Sequence, residues 1–106
     1  MVAPPRYDRV RVGDPLLNVL LERPNPSRYD VIQPGLVTTA SIQREIAGDL
    51  RRTHTPVVIR WLGASAQRVE HNGSGHASGV QLLDRVIARD YVRLARYGDW
   101  VVLARR

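Results

Sequence analysis

The chain has 106 residues, no cysteine and a formal net charge of +6, and all sixteen of its basic residues are arginine. A chain of this length forms one domain with one modest core, and the missing thiols exclude disulfides and thiolate metal sites. Its apolar runs are too short to span a membrane, and the residues after Met1 do not resemble a signal peptide. The arginines are spread along the chain rather than clustered with aromatic residues, so nucleic acid is not an expected partner. The charge indicates only a mild preference for anions.

The N-terminal residues predict a strand and a helix. Arg9–Val12 alternates with period two, which is typical of a short strand, although most of the first strand could precede Met1. Asp14-Pro15 is typical of the start of a helix. Asp can cap the N-terminus, and Pro fits the first helical position because its missing N–H would be unpaired there. Residues 16–21 are apolar on most sides, so this helix is expected to be largely buried. Pro24 and Pro26 end it.

The next stretch predicts a second strand and a second helix. Tyr29–Gln33 is the strand candidate, and Pro34-Gly35 turns the chain out of it. The helix that follows runs to Arg52. Its candidate N-cap residues are Thr38, Thr39 and Ser41. Its core stripe has one residue per turn: Ile42, Ile46 and Leu50.

The second half contains the clearest strand, a loop and a third helix. Val57–Leu62 is β-branched almost throughout, as in a parallel central strand that is buried on both faces. Residues 63–77 form a small, polar, glycine-rich loop. Ser78 begins the third helix with a capping box, Ser78-x-x-Gln81. The buried stripe of this helix is Val80, Leu83, Ile87 and Tyr91.

The C-terminal residues predict a β-hairpin. Val92–Tyr97 and Trp100–Ala104 flank Gly98-Asp99, a two-residue turn that matches strand twist. The order β-α-β-α-β-α-β-β predicts a single α/β domain over residues 1–106, with three layers and a mixed sheet of parallel members and an antiparallel C-terminal hairpin. A missing first strand would expose a sheet edge and allow a homodimer.

Two loop motifs suggest chemistry, and each has a plainer alternative. Asn72, Gly73 and Gly75 precede the third helix and could cradle a phosphate, although the spacing is not that of a P-loop and a flexible surface loop is favoured. Gly63-Ala64-Ser65 follows a strand as a nucleophile elbow does, but Gln67 replaces the second glycine. The three histidines are better explained as exposed polar residues than as metal ligands: His54, His71 and His76. No cofactor and no metal are expected.

Polar residues within or beside the strands are the remaining site candidates. Arg60 lies in an apolar strand, so it either sits on a sheet face near the edge or pairs with a carboxylate. An ion pair that stabilises the fold is favoured over a ligand contact. Its possible partners are Asp30, Asp84 and Asp99. Arg28, Tyr29 and Asp30 form a polar cluster in a proline-rich stretch, where they either bind a ligand or fix the local fold. The two tryptophans are expected to pack on the sheet.

Several short segments of the chain, taken in order, carry a resemblance to a known family. In order they are Val2-Ala3-Pro4-Pro5-Arg6, Gly13-Asp14-Pro15-Leu16-Leu17, Arg23 to Asp30, Gln33-Pro34-Gly35, Gln43-Arg44-Glu45, Val57 to Trp61, Gly79 to Arg85 and Gly98 to Leu103. Together they resemble the soluble C-terminal domain of bacterial polytopic glycosyltransferases similar to the dolichyl-phosphate-mannose-protein mannosyltransferases. The resemblance covers nearly the whole chain, its strongest element is Arg-Pro-Asn-Pro-Ser-Arg-Tyr-Asp, and the arginine-rich composition resembles actinobacterial proteins.

The resemblance implies a role but no catalytic residue. Such enzymes transfer a sugar from a polyprenyl-phosphate donor, and their catalytic carboxylates lie in a multi-helix membrane portion that this sequence does not contain. The expectation is therefore a non-catalytic accessory domain on the extracytoplasmic face of the plasma membrane. It would be joined to that membrane portion and could contribute to acceptor binding. The alternatives are a free-standing, cytoplasmic small enzyme, or an anion- or nucleic-acid-binding module that uses the 63–79 loop and surface arginines.

Overall fold

A computed structural model describes residues 1–8, 16–29, 38–64 and 76–106. Within these ranges the chain is a small mixed α/β domain with a four-stranded sheet. The elements, in chain order, are β1 (Val2–Ala3), α1 (Leu16–Leu20), α2 (Ala40–Arg52), β2 (Val57–Trp61), α3 (Leu82–Asp90), β3 (Tyr91–Tyr97) and β4 (Trp100–Arg105).

The sheet has the strand order β1-β2-β4-β3. β1 is parallel to β2, whereas β4 is antiparallel to both β2 and β3. This arrangement confirms the predicted mixed sheet with a C-terminal antiparallel hairpin. β2 lies between two strands and none of its residues is exposed, which agrees with its nearly continuous apolar sequence. The predicted strand at Arg9–Val12 lies outside the described residues; within them the N-terminal strand is β1, whose Val2 pairs with Ile59.

The side chains of the sheet divide into two faces because neighbouring residues in a strand point to opposite sides. The first face contacts α2 and α3, which enclose the core with Val58 of β2. A row here means the residues of neighbouring strands that lie side by side. On this face the rows across β2, β4 and β3 are Val58–Leu103–Arg93 and Arg60–Val101–Arg96, and Arg105 of β4 lies beside Tyr91 of β3. On the second face the rows are Val57–Ala104–Val92, Ile59–Val102–Ala95 and Trp61–Trp100–Tyr97.

The second helix forms where its sequence predicts it. α2 follows Thr39, whose side chain accepts a hydrogen bond from the Ile42 amide at 3.4 Å, and it ends at Arg52. Ile46 and Leu50 are 2% and 1% exposed, so the predicted apolar stripe does face the core.

The third helix begins later than predicted, and the predicted capping box is wrong. α3 starts at Leu82 after Gln81, which makes no side-chain capping bond. Ser78 instead uses its hydroxyl to accept from the Val80 amide at 3.2 Å, and its own amide donates to the Asp8 carbonyl at 2.7 Å. The long-range bond to Asp8 holds the chain out of the helix at this point, which a local motif cannot indicate.

The prediction for the first helix is also wrong, because α1 is not largely buried. Val19 and Leu20 are 71% and 70% exposed, and Leu21 is 44% exposed. The helix has only five residues. An apolar sequence predicts burial only when another element covers it, and no described element covers these three side chains.

The hairpin turn depends on Gly98, whose φ is +58°. A Cβ there would meet no atom within 4 Å, so a side chain is disfavoured only by the backbone conformation. We expect Gly98→Ala to lower the free energy of unfolding by about 1 kcal/mol, as a non-glycine residue in the left-handed region does. Gly48→Ala is the matched control in chemical denaturation. It adds a methyl group to open space in α2, so it should raise stability by about 0.5–1 kcal/mol. Equal effects of the two changes would contradict this account.

Candidate binding cleft

A cleft of about 560 Å³ lies between α3, the N-terminal segment (residues 1–8) and the first face of the sheet. α3 supplies one wall through residues three and four positions apart, while β2 and β4 supply the floor. The lining residues are Pro5, Arg6, Arg60, Gln81, Asp84, Ile87, Ala88, Tyr91 and Leu103. This described lining contains guanidinium groups, a carboxylate and an amide, but no serine, threonine or histidine. These groups can bind a ligand by hydrogen bonds and charge.

Arg60 and Asp84 form an ion pair in this cleft. Arg60 Nη2 donates to Asp84 Oδ1 at 2.8 Å, and the two side chains are only 16% and 21% exposed. Arg60 Nη1 donates to the Pro5 carbonyl, and Asp84 Oδ2 accepts from the Tyr7 amide at 2.8 Å. The prediction that Arg60 pairs with a carboxylate is confirmed, with Asp84 as the partner. The pair joins β2, α3 and the N-terminal segment.

A second ion pair lies at the edge of the same cleft. Arg6 Nε and Nη2 donate to the two carboxylate oxygens of Asp8. Asp8 is buried, whereas the Arg6 side chain is 41% exposed. The hydrogen bond from Arg6 to Asp8 raises the pKa of the guanidinium, so Arg6 stays charged at all physiological pH values. The N-terminal segment thus brings a fixed cation to the cleft.

Two buried tyrosines make the domain sensitive to alkaline pH. Burial raises the pKa of the Tyr7 hydroxyl, with the charge of Arg60 opposing and that of Asp84 adding to the shift. Burial also raises the pKa of Tyr91, whose hydroxyl donates to the Thr55 carbonyl at 2.8 Å. Because the unfolded chain loses these protons near pH 10, the stability from the neutral hydroxyls is complete below about pH 10 and falls above it.

We therefore expect the thermal midpoint to fall as pH rises above about 10, and to fall less in Tyr7→Phe, which has no proton to lose at that position. Thermal unfolding of both proteins between about pH 8 and about pH 11 measures the difference. Parallel declines in the two proteins would contradict a contribution from Tyr7.

The described part of the proline-rich stretch, residues 23–29, contacts α2. Arg28 Nε lies 2.8 Å from Glu45 Oε1, and the Tyr29 hydroxyl donates to Glu45 Oε2 at 3.0 Å. Asn25 Nδ2 donates to the Tyr29 carbonyl at 3.1 Å, which closes the loop on itself. Tyr29 is not in a strand, and Asp30 with the rest of the predicted strand lies outside the described residues. Arg28 and Tyr29 thus hold a local fold and lie outside the cleft lining.

Arg28→Ala is expected to lower the thermal midpoint slightly, because the side chain is 71% exposed and exposed ion pairs stabilise little. Arg44→Ala is a suitable control in the same melting experiment. Arg44 is exposed on α2 and makes no ion pair with a described residue. An Arg28→Ala midpoint equal to or above that of Arg44→Ala would show that the contact with Glu45 does not stabilise the domain.

The sequence pattern did not indicate the polar contacts of Gln43. It is fully buried in α2, and its Nε2 lies 2.9–3.2 Å from the carbonyl oxygens of Tyr7, Thr38 and Val80. Its Oε1 accepts from the Leu83 amide at 3.0 Å, which satisfies an N–H group in the first turn of α3. The signal available in the sequence was its position one residue after Ile42, beside the predicted core stripe.

The candidate residues of the two loop motifs, together with His71, lie outside the described residues: Ser65, Asn72, Gly73 and Gly75. His54 and His76 are exposed. Acidic and histidine side chains of the described ranges do not form a group of three that could hold a metal ion. In the same part of the chain, no helix has the length and apolar character needed to cross a bilayer.

The second face of the sheet is a separate surface without charge. All nine side chains in its three rows are apolar or aromatic, and Trp61 stacks on Trp100 with ring centroids 5.7 Å apart, as predicted for sheet packing. Gly63 lies against this stack, since a Cβ there would be 2.5 Å from Trp61 Nε1. Val92 and Tyr97 are 45% and 70% exposed, and the others are half-buried.

The charged side chains of β2, β3 and β4 all lie on the first face: Arg60, Arg93, Arg96 and Arg105. An antiparallel sheet with one face in water normally carries its polar residues on that face. The second face has the composition of a covered surface instead.

Comparison of the chain with models of protein families, with curated proteins and with solved structures finds no match.

Proposed function

We propose that this chain is a non-catalytic accessory domain of a membrane glycosyltransferase that uses a polyprenyl-phosphate-sugar donor. Its second sheet face would dock on the membrane-embedded portion of that enzyme, on the extracytoplasmic side. The observation that carries the proposal is the uncharged second face, with its stacked tryptophans and the exposed Val92 and Tyr97. An apolar face of this kind on a basic domain is expected to be an interaction surface.

The sequence resemblance supports the same role and names the partner. The segment Arg23 to Asp30 is its most specific element, and residues 25–29 of that segment form a compact loop fixed on α2 through Glu45. A loop that stabilises the fold would be retained in any domain of this kind, whichever sugar the parent enzyme transfers.

An antiserum against the chain tests this proposal in the cell from which the sequence derives. We expect the antigen in the membrane fraction, resistant to alkaline carbonate extraction, on a polypeptide several times larger than 11.9 kDa. Protease added to intact cells should degrade it from the extracytoplasmic side. An 11.9 kDa antigen in the soluble fraction would contradict the proposal and favour a free-standing protein.

A further inference from the structure

We propose that the cleft beside α3 binds the oxyanion of a small soluble ligand, a phosphate or carboxylate group, through the guanidinium groups of Arg6, Arg60 and Arg93. This site goes beyond the accessory role and does not depend on it. It rests on three features of the first face: unused donors, an unpaired charge and a partly apolar lining.

The cleft offers more hydrogen-bond donors than the protein uses. Arginine has five N–H groups. Arg60 uses one on Asp84 and one on the Pro5 carbonyl, and Arg6 uses two on Asp8. Within the described part of the chain their remaining N–H groups make no hydrogen bond. Each Asp84 oxygen already accepts one, from Arg60 or from the Tyr7 amide. A ligand that brings acceptor oxygens is therefore better matched than one that brings donors.

Arg93 adds a charge that has no ion-pair partner among the described residues. Arg6 and Arg60 are neutralised by their paired carboxylates, Asp8 and Asp84. Arg93 lies beside the cleft rather than in its lining: it is directly across from Leu103 on the first face, and Leu103 lines the cleft. Arg93 is exposed, and among the described residues it makes neither a side-chain hydrogen bond nor an ion pair. The cleft region thus carries a net positive charge, and a planar guanidinium binds carboxylate and phosphate groups in a forked geometry.

Part of the cleft lining is apolar. Ile87 and Ala88 of α3 and Leu103 of β4 line the cleft, and its volume of about 560 Å³ is in the range of small-molecule sites. An oxyanion attached to a small ring would contact both the guanidinium groups and the apolar side chains. Phenyl phosphate and benzoate are probes with this character, and benzyl alcohol is a neutral probe of the same size.

Two-dimensional ¹H–¹⁵N NMR of the labelled chain tests the site. Phenyl phosphate or benzoate should shift a localised set of amides at residues 6, 60, 84 and 103, and benzyl alcohol should not. Arg93→Gln should weaken binding about two- to fivefold, the size of one exposed charge contact. Arg44→Gln removes an exposed arginine on α2 and should leave the affinity unchanged.

Three results would overturn the inference. One is no localised shift with either anion. Another is equal weakening by Arg93→Gln and Arg44→Gln, which would indicate attraction to overall charge alone. The last is a response of the same amides to phosphatidylglycerol vesicles but to neither soluble anion, which would assign the site to a lipid headgroup. None of these results bears on whether the chain belongs to a membrane enzyme, so the proposed function is tested separately.

Discussion

Gln43→Leu is expected to lower the free energy of unfolding by about 3–5 kcal/mol, a large fraction of the stability of a domain of this size. The change keeps the volume and the helix propensity but removes every polar contact of the side chain. Three carbonyl groups and the Leu83 amide lose a buried partner, and the desolvation cost of each unsatisfied group is about 1–3 kcal/mol. Partial relaxation of the surrounding structure keeps the total loss of stability below the sum of these costs. Chemical denaturation followed by circular dichroism measures the loss.

Gln81→Leu is the matched control, because Gln81 is exposed and makes no capping bond to α3. Its effect should stay within about 0.5 kcal/mol. If the two substitutions cost the same, the buried contacts of Gln43 would not be the reason for its effect.

Asp84→Ala should cost about 2–4 kcal/mol. The substitution leaves Arg60 as an uncompensated, mostly buried charge, and it also removes the acceptor of the Tyr7 amide. The partial exposure of the pair moderates the cost. Denaturant unfolding of single variants at Arg60 and Asp84 and of the double variant Arg60→Met/Asp84→Leu distinguishes the loss of the ion pair from the cost of leaving one charge unpaired. The double variant should recover part of the loss because no unpaired charge remains.

Asp49→Ala provides the comparison for this prediction. Asp49 also pairs with an arginine at 2.8 Å, but that partner, Arg52, is 69% exposed. An exposed pair of this kind contributes about 0–1 kcal/mol. A loss for Asp84→Ala no greater than that for Asp49→Ala would show that burial does not set the importance of the Arg60 contact.

The elements that follow from local patterns could be predicted from the sequence. β2, α2 and the β3–β4 hairpin depend on alternation, helical spacing and a glycine turn, all of which lie within about a dozen consecutive residues. The pairing of Arg60 with a carboxylate followed from the cost of an unpaired charge in a strand. The identity of the partner, Asp84, did not follow, because it depends on how α3 crosses the sheet.

The predictions that were wrong concern features that depend on contacts between residues far apart in the chain. The start of α3 is set by the bonds of Gln43 and of the Asp8 carbonyl, which lie at least thirty-eight residues away in the chain. The cleft combines residues from the N-terminal segment, β2, α3 and β4, so no single stretch indicates it. The exposure of Val19 and Leu20 shows the converse, since an apolar pattern reports what could be buried and not what covers it.

The account as a whole depends on what covers the second face of the sheet. Photo-crosslinking within the native polypeptide tests this most directly, with a photoreactive residue placed at Tyr97 on that face or at Arg44 on α2. We expect crosslinks from position 97 to apolar segments of the membrane-embedded portion, and none from position 44. Equal crosslinking from both positions, or crosslinks from neither, would contradict docking through the second face.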